Sequence, residues 1–238
     1  MGTVTIGADI GQRVDPTAIA VAEVEMRVMD KQMESVYRIR HLERLPLGTD
    51  YPAVAARIAV VAAGVARKAP LHRLYADCTG VGRPVVDMLP GALARQAVHV
   101  PVWPVTFTYG DRRTENRHER EIILGKAWLV SRLQVLLQST RILLPETAEA
   151  RALAEELLVY EIKVTENGNE QFGAFKVGKH DDLITALGLS VQDDLAMGGH
   201  PVAHSFAEME RRRALHEGLG APHVAGARSI PRRRYDLR

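Results

Sequence analysis

Thr3-Val-Thr-Ile-Gly-Ala-Asp9-Ile-Gly11 is the stretch on which the fold turns. Alternating β-branched residues lead straight to a carboxylate, a pattern that predicts a strand from Thr3 to Ala8 ending at Asp9. An ionised carboxylate among such apolar neighbours is expensive to bury unless a cation or several donors compensate it. The plainer alternative is a strand-end Asp that accepts backbone hydrogen bonds from the next turn. Gly11 to Pro16 supplies turn chemistry, and Thr17–Val24 and Ser35–Leu42 read as a second and third strand. The opening of the chain is therefore expected to be an antiparallel meander.

Working outward, Tyr51–Lys68 is the first strong helix, stopped by Pro70, and His72–Ala76 is a short strand leading into Asp77. Thr79-Gly-Val-Gly82 is a tight turn, with a helix from Arg83 to about Leu89 opening on Pro84. Val98–Thr106 reads as a strand whose prolines, Pro101 and Pro104, favour an edge or a bulge. Asp111–His118 is polar and predicts a mobile loop, Glu119–Leu137 a long helix, Arg141–Leu144 a short strand and Glu146–Leu158 a further helix. Asn167-Gly168 between Val159–Val164 and Gln171–Val177 is a strong hairpin signal. The last core helix is expected from His180 to Asp194, with Leu183, Ile184, Leu187 and Val191 at helical spacing. The sum is an α/β domain over residues 1–197: a mixed sheet of the five-stranded type flanked by helices, with a hairpin before the last core helix. Residues 198–238 read as a basic, flexible tail.

With 238 residues, 46% of them hydrophobic and 25% charged, the chain has the balance of a globular domain with a substantial core. The longest apolar run, Val54–Ala66, is interrupted by Arg57 and too short to cross a bilayer, and no secretory leader pattern opens the chain. No membrane partner is expected. The single cysteine, Cys78, excludes a disulfide framework and a cysteine-rich zinc site and points to a reducing, cytoplasmic setting. Between Glu208 and Arg238 eight Arg stand against four acids, so that segment carries +4 and, with a total of +2, the remainder −2. A mildly acidic body suits a protein that holds metal ions in an acidic pocket better than one that coats DNA.

Three further acids stand beside Asp9. Asp77 ends a strand and is followed by Cys-Thr-Gly-Val-Gly82, which leaves its carboxylate at the carboxyl edge of the sheet, where open α/β sheets bind ligands. An N-cap or turn role is the structural alternative. Asp181 and Asp182 open a helix, where the dipole favours carboxylates without any further role. The combination argues for more: acids on separate apolar elements converge only if something cationic lies between them. Oxygen-only ligands suit Mg2+ or Mn2+, and two such ions about 3.5–4 Å apart form the clamp for in-line phosphoryl displacement. The nucleotide-binding pattern Gly-x-x-x-x-Gly-Lys-Ser/Thr is absent from the sequence.

Ile6-Gly-Ala-Asp-Ile-Gly11 with Asp15-Pro-Thr-Ala18, Asp77-Cys-Thr-Gly-Val-Gly82 with Val86-Asp-Met-Leu89, and Gly178-Lys-His-Asp-Asp-Leu-Ile-Thr-Ala-Leu187 resemble the nuclease domain of tailed-bacteriophage terminase large subunits. The resemblance covers roughly residues 3–195 and includes the hairpin before the last core helix. It implies an RNase H-like fold, similar to Holliday-junction resolvases, and an endonuclease that cuts double-stranded DNA with two Mg2+ or Mn2+ ions. By position, Asp9 would bridge both metals, Asp77 would bind one, and Asp181 or Asp182 would complete the site, the choice between the last two staying open. A full terminase also has an ATPase with Walker motifs. This sequence has none, so an excised domain and a free-standing relative both fit, and an ATPase motor domain, the portal and the small terminase subunit are the implied partners.

Arg13, Arg112, Arg113 and Arg117, with Lys163, Lys176 and Lys179 on or next to the hairpin, are candidate contacts to the DNA backbone; solvated surface charge is their plain alternative. His180 reads as a cap, Trp103 and Trp128 as core, and Arg232–Arg234 as a solvated charge run. No zinc finger or recognition helix is evident, which implies little sequence preference. Three other functions stay in view: a junction resolvase, a sugar or acetate kinase-like ATPase, whose opening strand looks alike, and a catalytically silent DNA- or portal-docking module.

Overall fold

Three long strands open the chain, β1 (Thr3–Asp9), β2 (Ala18–Met29) and β3 (Gln32–Arg44), paired antiparallel as the expected meander. The computed structural model describes residues 3–11, 15–29, 31–69, 72–164, 170–173 and 181–195, with the backbone alone for 159, 161–164 and 170–173. Helix α1 (Tyr51–Ala66) starts at Asp50, whose carboxylate accepts the Ala53 N–H, and leads to β4 (His72–Asp77), which lies parallel to β1. Helix α2 (Gly82–Arg95) is longer than the sequence suggests because it runs through Pro90. Pro90 is exposed, while Leu89, Ala92 and Leu93 are buried, so the apolar face continues past the one lost hydrogen bond.

Next comes β5 (Val102–Thr108), parallel to β4. It is an interior strand, not the edge its prolines suggested. The carbonyls of Pro101 and Val105 accept the N–H groups of Leu74 and Cys78, so odd-numbered positions point toward β4 and the nitrogen of Pro104 points away. On that side the ladder begins only at Val105, opposite Ile122, so Pro104 costs no sheet hydrogen bond. The expected loop and the front of the expected long helix are instead β6 (Arg113–Asn116) and β7 (Glu121–Gly125), followed by α3 (Lys126–Gln138). Ile122 and Leu124 are buried and Ile123 is exposed, an alternation too short to stand out beside the helix it adjoins.

The chain then forms β8 (Ile142–Leu143), α4 (Ala148–Val159), the hairpin β9 (Glu161–Val164) and β10 (Glu170–Gly173), and α5 (Asp182–Ser190). The main sheet has the order β6-β7-β5-β4-β1-β2-β3-β8. The five expected strands, β5-β4-β1-β2-β3, are its contiguous centre, and β6, β7 and β8 enlarge it to eight. The molecule is therefore an RNase H-like α/β fold with a broader sheet than expected. One face buries Ile6, Leu74 and Val85 under α1 and α2; the other buries Tyr37, Trp103 and Trp128 with Leu187 of α5, flanked by α3 and α4. Both tryptophans are core residues.

Helix α5 is shorter than expected and buried all round, the mark of a central element. It crosses β1 at Gly7, where a Cβ would collide with the Ala186 carbonyl, and the Thr5 hydroxyl donates to the Ser190 carbonyl. Among the described residues no helix is long and apolar enough to cross a membrane.

Candidate active site

Strands β1, β4, β5 and β7 run parallel, so their carboxyl ends share one edge of the sheet. Ala8 pairs with Ala76, which sets Asp9 and Asp77 side by side at the ends of adjacent strands. The charge of Asp77 is felt at Asp9, whose carboxyl it raises. Asp77 is oriented by the Thr79 N–H, which donates to its Oδ1 at 2.7 Å. The turn that allows this depends on Gly82, where a Cβ would meet the Asp77 carbonyl. Asp181, the residue before α5, brings a third carboxyl to the same edge, near enough to repel Asp9.

The electrostatics carry the signature of crowded acids. The Asp9 carboxyl is pushed well above its ordinary range, first by burial and then by the charges of Asp77, Asp181 and Asp182. Burial also raises Asp77, against hydrogen bonds from Thr79 that lower it. Asp181 is raised by burial and by Asp15 and Asp182, with Lys126 as the principal opposing influence. Among the described residues none of Asp9, Asp77 and Asp181 forms a salt bridge.

Asp182 is in a different position, 1% exposed and 2.7 Å from Arg44 Nε, while the other arm of Arg44 pairs with Glu156. The two neighbouring acids that sequence reading left open differ in setting: the charges of both reach Asp9, and Asp182 is tied to a guanidinium from the end of β3. Sequence reading missed Arg44, which lies far away in the chain and carries no local motif. It also missed Lys126 and Tyr160. The charge of Lys126 lowers all three edge carboxyls, and the Tyr160 hydroxyl is raised by burial, then by Asp181 and Asp9. Lys126 did leave a signal: Ile122-Ile-Leu-Gly-Lys126 is an apolar run ending in a charge, like Ile6-Gly-Ala-Asp9.

Of the candidate DNA contacts, Arg112 is exposed, whereas the Arg113 side chain is 5% exposed and bound to Glu115 and Gln192. Arg113 is thus paired within the fold. Arg117 pairs with Glu115. Arg13, Lys176, Lys179, His180 and the segment 198–238 lie outside the described residues, as does the side chain of Lys163.

Among the described residues no three His, Cys, Asp or Glu side chains stand close enough together to hold a metal ion as they are. The donor chemistry at the edge nevertheless suits a hard cation: three carboxyls are raised by burial, Asp9 also by the charges of its neighbours, and among the described residues Lys126 is the cation that offsets all three. A divalent ion relieves that imbalance directly.

No protein-family model matches the sequence, and no curated protein does. Solved structures do. The large terminase nuclease from thermophilic phage G20c is similar at 20% identity with a TM-score of 0.51, over 79% of this chain and 81% of that one. The large terminase nuclease domain of Thermus phage P74-26 is also 20% identical, with a TM-score of 0.52 over 80% and 79%. A mutant nuclease domain of the large terminase subunit of bacterial virus Sf6, solved with manganese and beta-thujaplicinol, is 14% identical, with a TM-score of 0.55 over 79% and 87%. At these identities the likeness is one of architecture, and this chain has the RNase H-like fold of the terminase nuclease domains.

Proposed function

We propose that this chain is a divalent-metal-dependent endonuclease that hydrolyses double-stranded DNA with little sequence preference, as the nuclease part of a viral DNA-packaging terminase. The observation that carries the reading is the meeting of Asp9, Asp77 and Asp181 at the carboxyl edge of the sheet, from two adjacent parallel strands and the start of the central helix. The architecture shared with terminase nucleases, one of them solved with manganese, supports the choice of substrate and metal.

Asp9, Asp77 and Asp181 would hold two Mg2+ or Mn2+ ions. When bound, such ions supply Lewis acidity to the phosphate and make an attacking water acidic at neutral pH. The chain's own residues provide the rest. Thr79 holds the Asp77 carboxylate in one orientation through its N–H. Arg44 secures Asp182, and with it the start of α5, so that Asp181 is presented from a fixed backbone. Arg112, exposed beyond β5, is available to the phosphate backbone. In packaging, an ATPase motor domain, the portal and the small terminase subunit are the partners of such a nuclease.

The test is incubation of plasmid DNA with the protein in Mn2+ or Mg2+ and in EDTA. Cleavage with metal and protection by EDTA are expected, with linear duplex cut as readily as four-way junctions. Intact plasmid under all conditions would contradict the assignment, and a strong junction preference would redirect it to a resolvase.

A further inference from the structure

Arg44 stands at the end of β3 between two buried acids that come from different helices. Its Nε donates to Asp182 Oδ2 at 2.7 Å, and its Nη2 donates to Glu156 Oε1. Asp182 opens α5 and Glu156 lies in α4; their side chains are 1% and 8% exposed. Sheet register ties this triad to the acidic edge. Arg44 pairs with Ala18, and Ala18 pairs with Asp9, so the arginine and the aspartate sit in one row, two strands or about 10 Å apart. The alternation of β1 turns Thr5, Gly7 and Asp9 to the face that α5 covers. Along that face the Ser190 carbonyl meets Thr5 and the Ala186 carbonyl lies over Gly7. Four residues of helix advance about 6 Å and two of strand about 6.6 Å. One further turn back along α5 therefore brings Asp182 level with Asp9.

Two carboxylates on one guanidinium are a costly way to pack helices together. Charges taken out of water give little net stability even when paired, and Glu156 Oε2 is buried with no hydrogen-bond partner among the described residues. Helix α4 already seats Leu153 in the same core as Leu183 and Leu187 of α5. What a guanidinium adds over an apolar contact is direction, since its planar fork of donors fixes the acids it joins relative to one another. Glu156 holds the arm of Arg44 that Asp182 does not, so the fork is oriented from both sides.

We propose that Glu156 is a positioning residue for metal binding: by holding Arg44 it fixes Asp182 and the backbone that presents Asp181 at the acidic edge. The inference rests on the metal-dependent nuclease reading above.

The experiment measures the Mn2+ concentration that gives half the maximal rise in Tm, with kcat and KM on a duplex oligonucleotide at one fixed Mn2+ concentration, for wild type, Glu156→Leu and Glu156→Gln. Glu156→Leu keeps the neutral Arg44–Asp182 pair, so its metal-free Tm should be no lower than that of wild type. It should nevertheless need about 10-fold more Mn2+, and its kcat should fall with KM for DNA unchanged. Glu156→Gln keeps an oxygen acceptor for Arg44 and should recover most of both. A wild-type Mn2+ requirement in Glu156→Leu overturns the proposal. A Leu variant that melts well below wild type or does not fold also overturns it, the pair then serving only to hold the core, as does a Gln variant impaired as much as Leu. Wild type whose Tm does not respond to Mn2+ and which cuts no DNA removes the nuclease reading itself, an outcome distinct from a responsive wild type with an unaffected variant.

Discussion

The two ends of α5 carry the same dipeptide, Asp181-Asp182 at its start and Asp193-Asp194 just after it, with different partners. At the far end every acid is matched. Asp193 accepts from the Tyr75 hydroxyl at 2.6 Å and from Arg73 at 2.8 Å, and its carbonyl accepts the Tyr37 hydroxyl at 2.7 Å. Asp194 accepts from the Ser35 hydroxyl at 2.6 Å and lies within 3.8 Å of both Arg132 and Arg141. At the near end Asp182 is matched by Arg44, but Asp181 stands with Asp9 and Asp77 and, among the described residues, forms no salt bridge, Lys126 being the cation whose charge reaches it. Buried acids with dedicated guanidiniums hold the helix on the sheet. Burial raises Asp193 as well, against Tyr75 and Arg73 that lower it. What sets the near end apart is that Asp9, Asp77 and Asp181 form no salt bridge among the described residues, and a ligand that brings positive charge would supply one.

If the near end is functional, Asp77→Ala should lower cleavage by about 1,000-fold or more while the fold survives, as measured by plasmid nicking and circular dichroism. An active Asp77→Ala breaks the comparison at once. The far end should respond the other way. Asp193→Ala strands Arg73 and Tyr75 beside the core and should cost about 3–5 kcal/mol of stability, read as a fall in denaturant midpoint.

Asp9→Asn should stabilise the metal-free protein. The raised pKa of Asp9 means that its contribution to stability is full below the ordinary carboxylate range and is lost as pH rises through the folded-state value. The amide never ionises, so the variant should melt above wild type at neutral pH, and the gap should close on acidification toward about pH 4. Each 1 kcal/mol of relieved repulsion is worth about 2–4 °C in Tm at this chain length. A gap that persists in acid would assign the effect to packing. The smallest effect belongs to the β6 neighbourhood: Arg112→Ala should reduce the salt dependence of DNA binding by about one unit of slope, whereas Arg113→Ala, committed to Glu115 and Gln192, should show itself in stability.

The positions of Asp9 and Asp77 were legible because each ends an apolar strand beside a glycine turn, a pattern local in sequence. The different settings of Asp181 and Asp182 were not, because they depend on where α5 begins and on Arg44, 138 residues away. Lys126 was hidden for another reason. Five residues of β7 abut α3 without a break, and an apolar run of that length fits a helix front as well as a strand. The central place of β5 was obscured by Pro104, whose harmlessness depends on the stagger of a neighbouring ladder.

The most direct test is a Mn2+ soak of crystals of the protein with anomalous diffraction at the manganese edge. The account predicts density bounded by Asp9, Asp77 and Asp181, with Asp182 still held by Arg44. Manganese ligated by Asp182 in place of Asp181, or no manganese at this edge at concentrations that support cleavage, would contradict it.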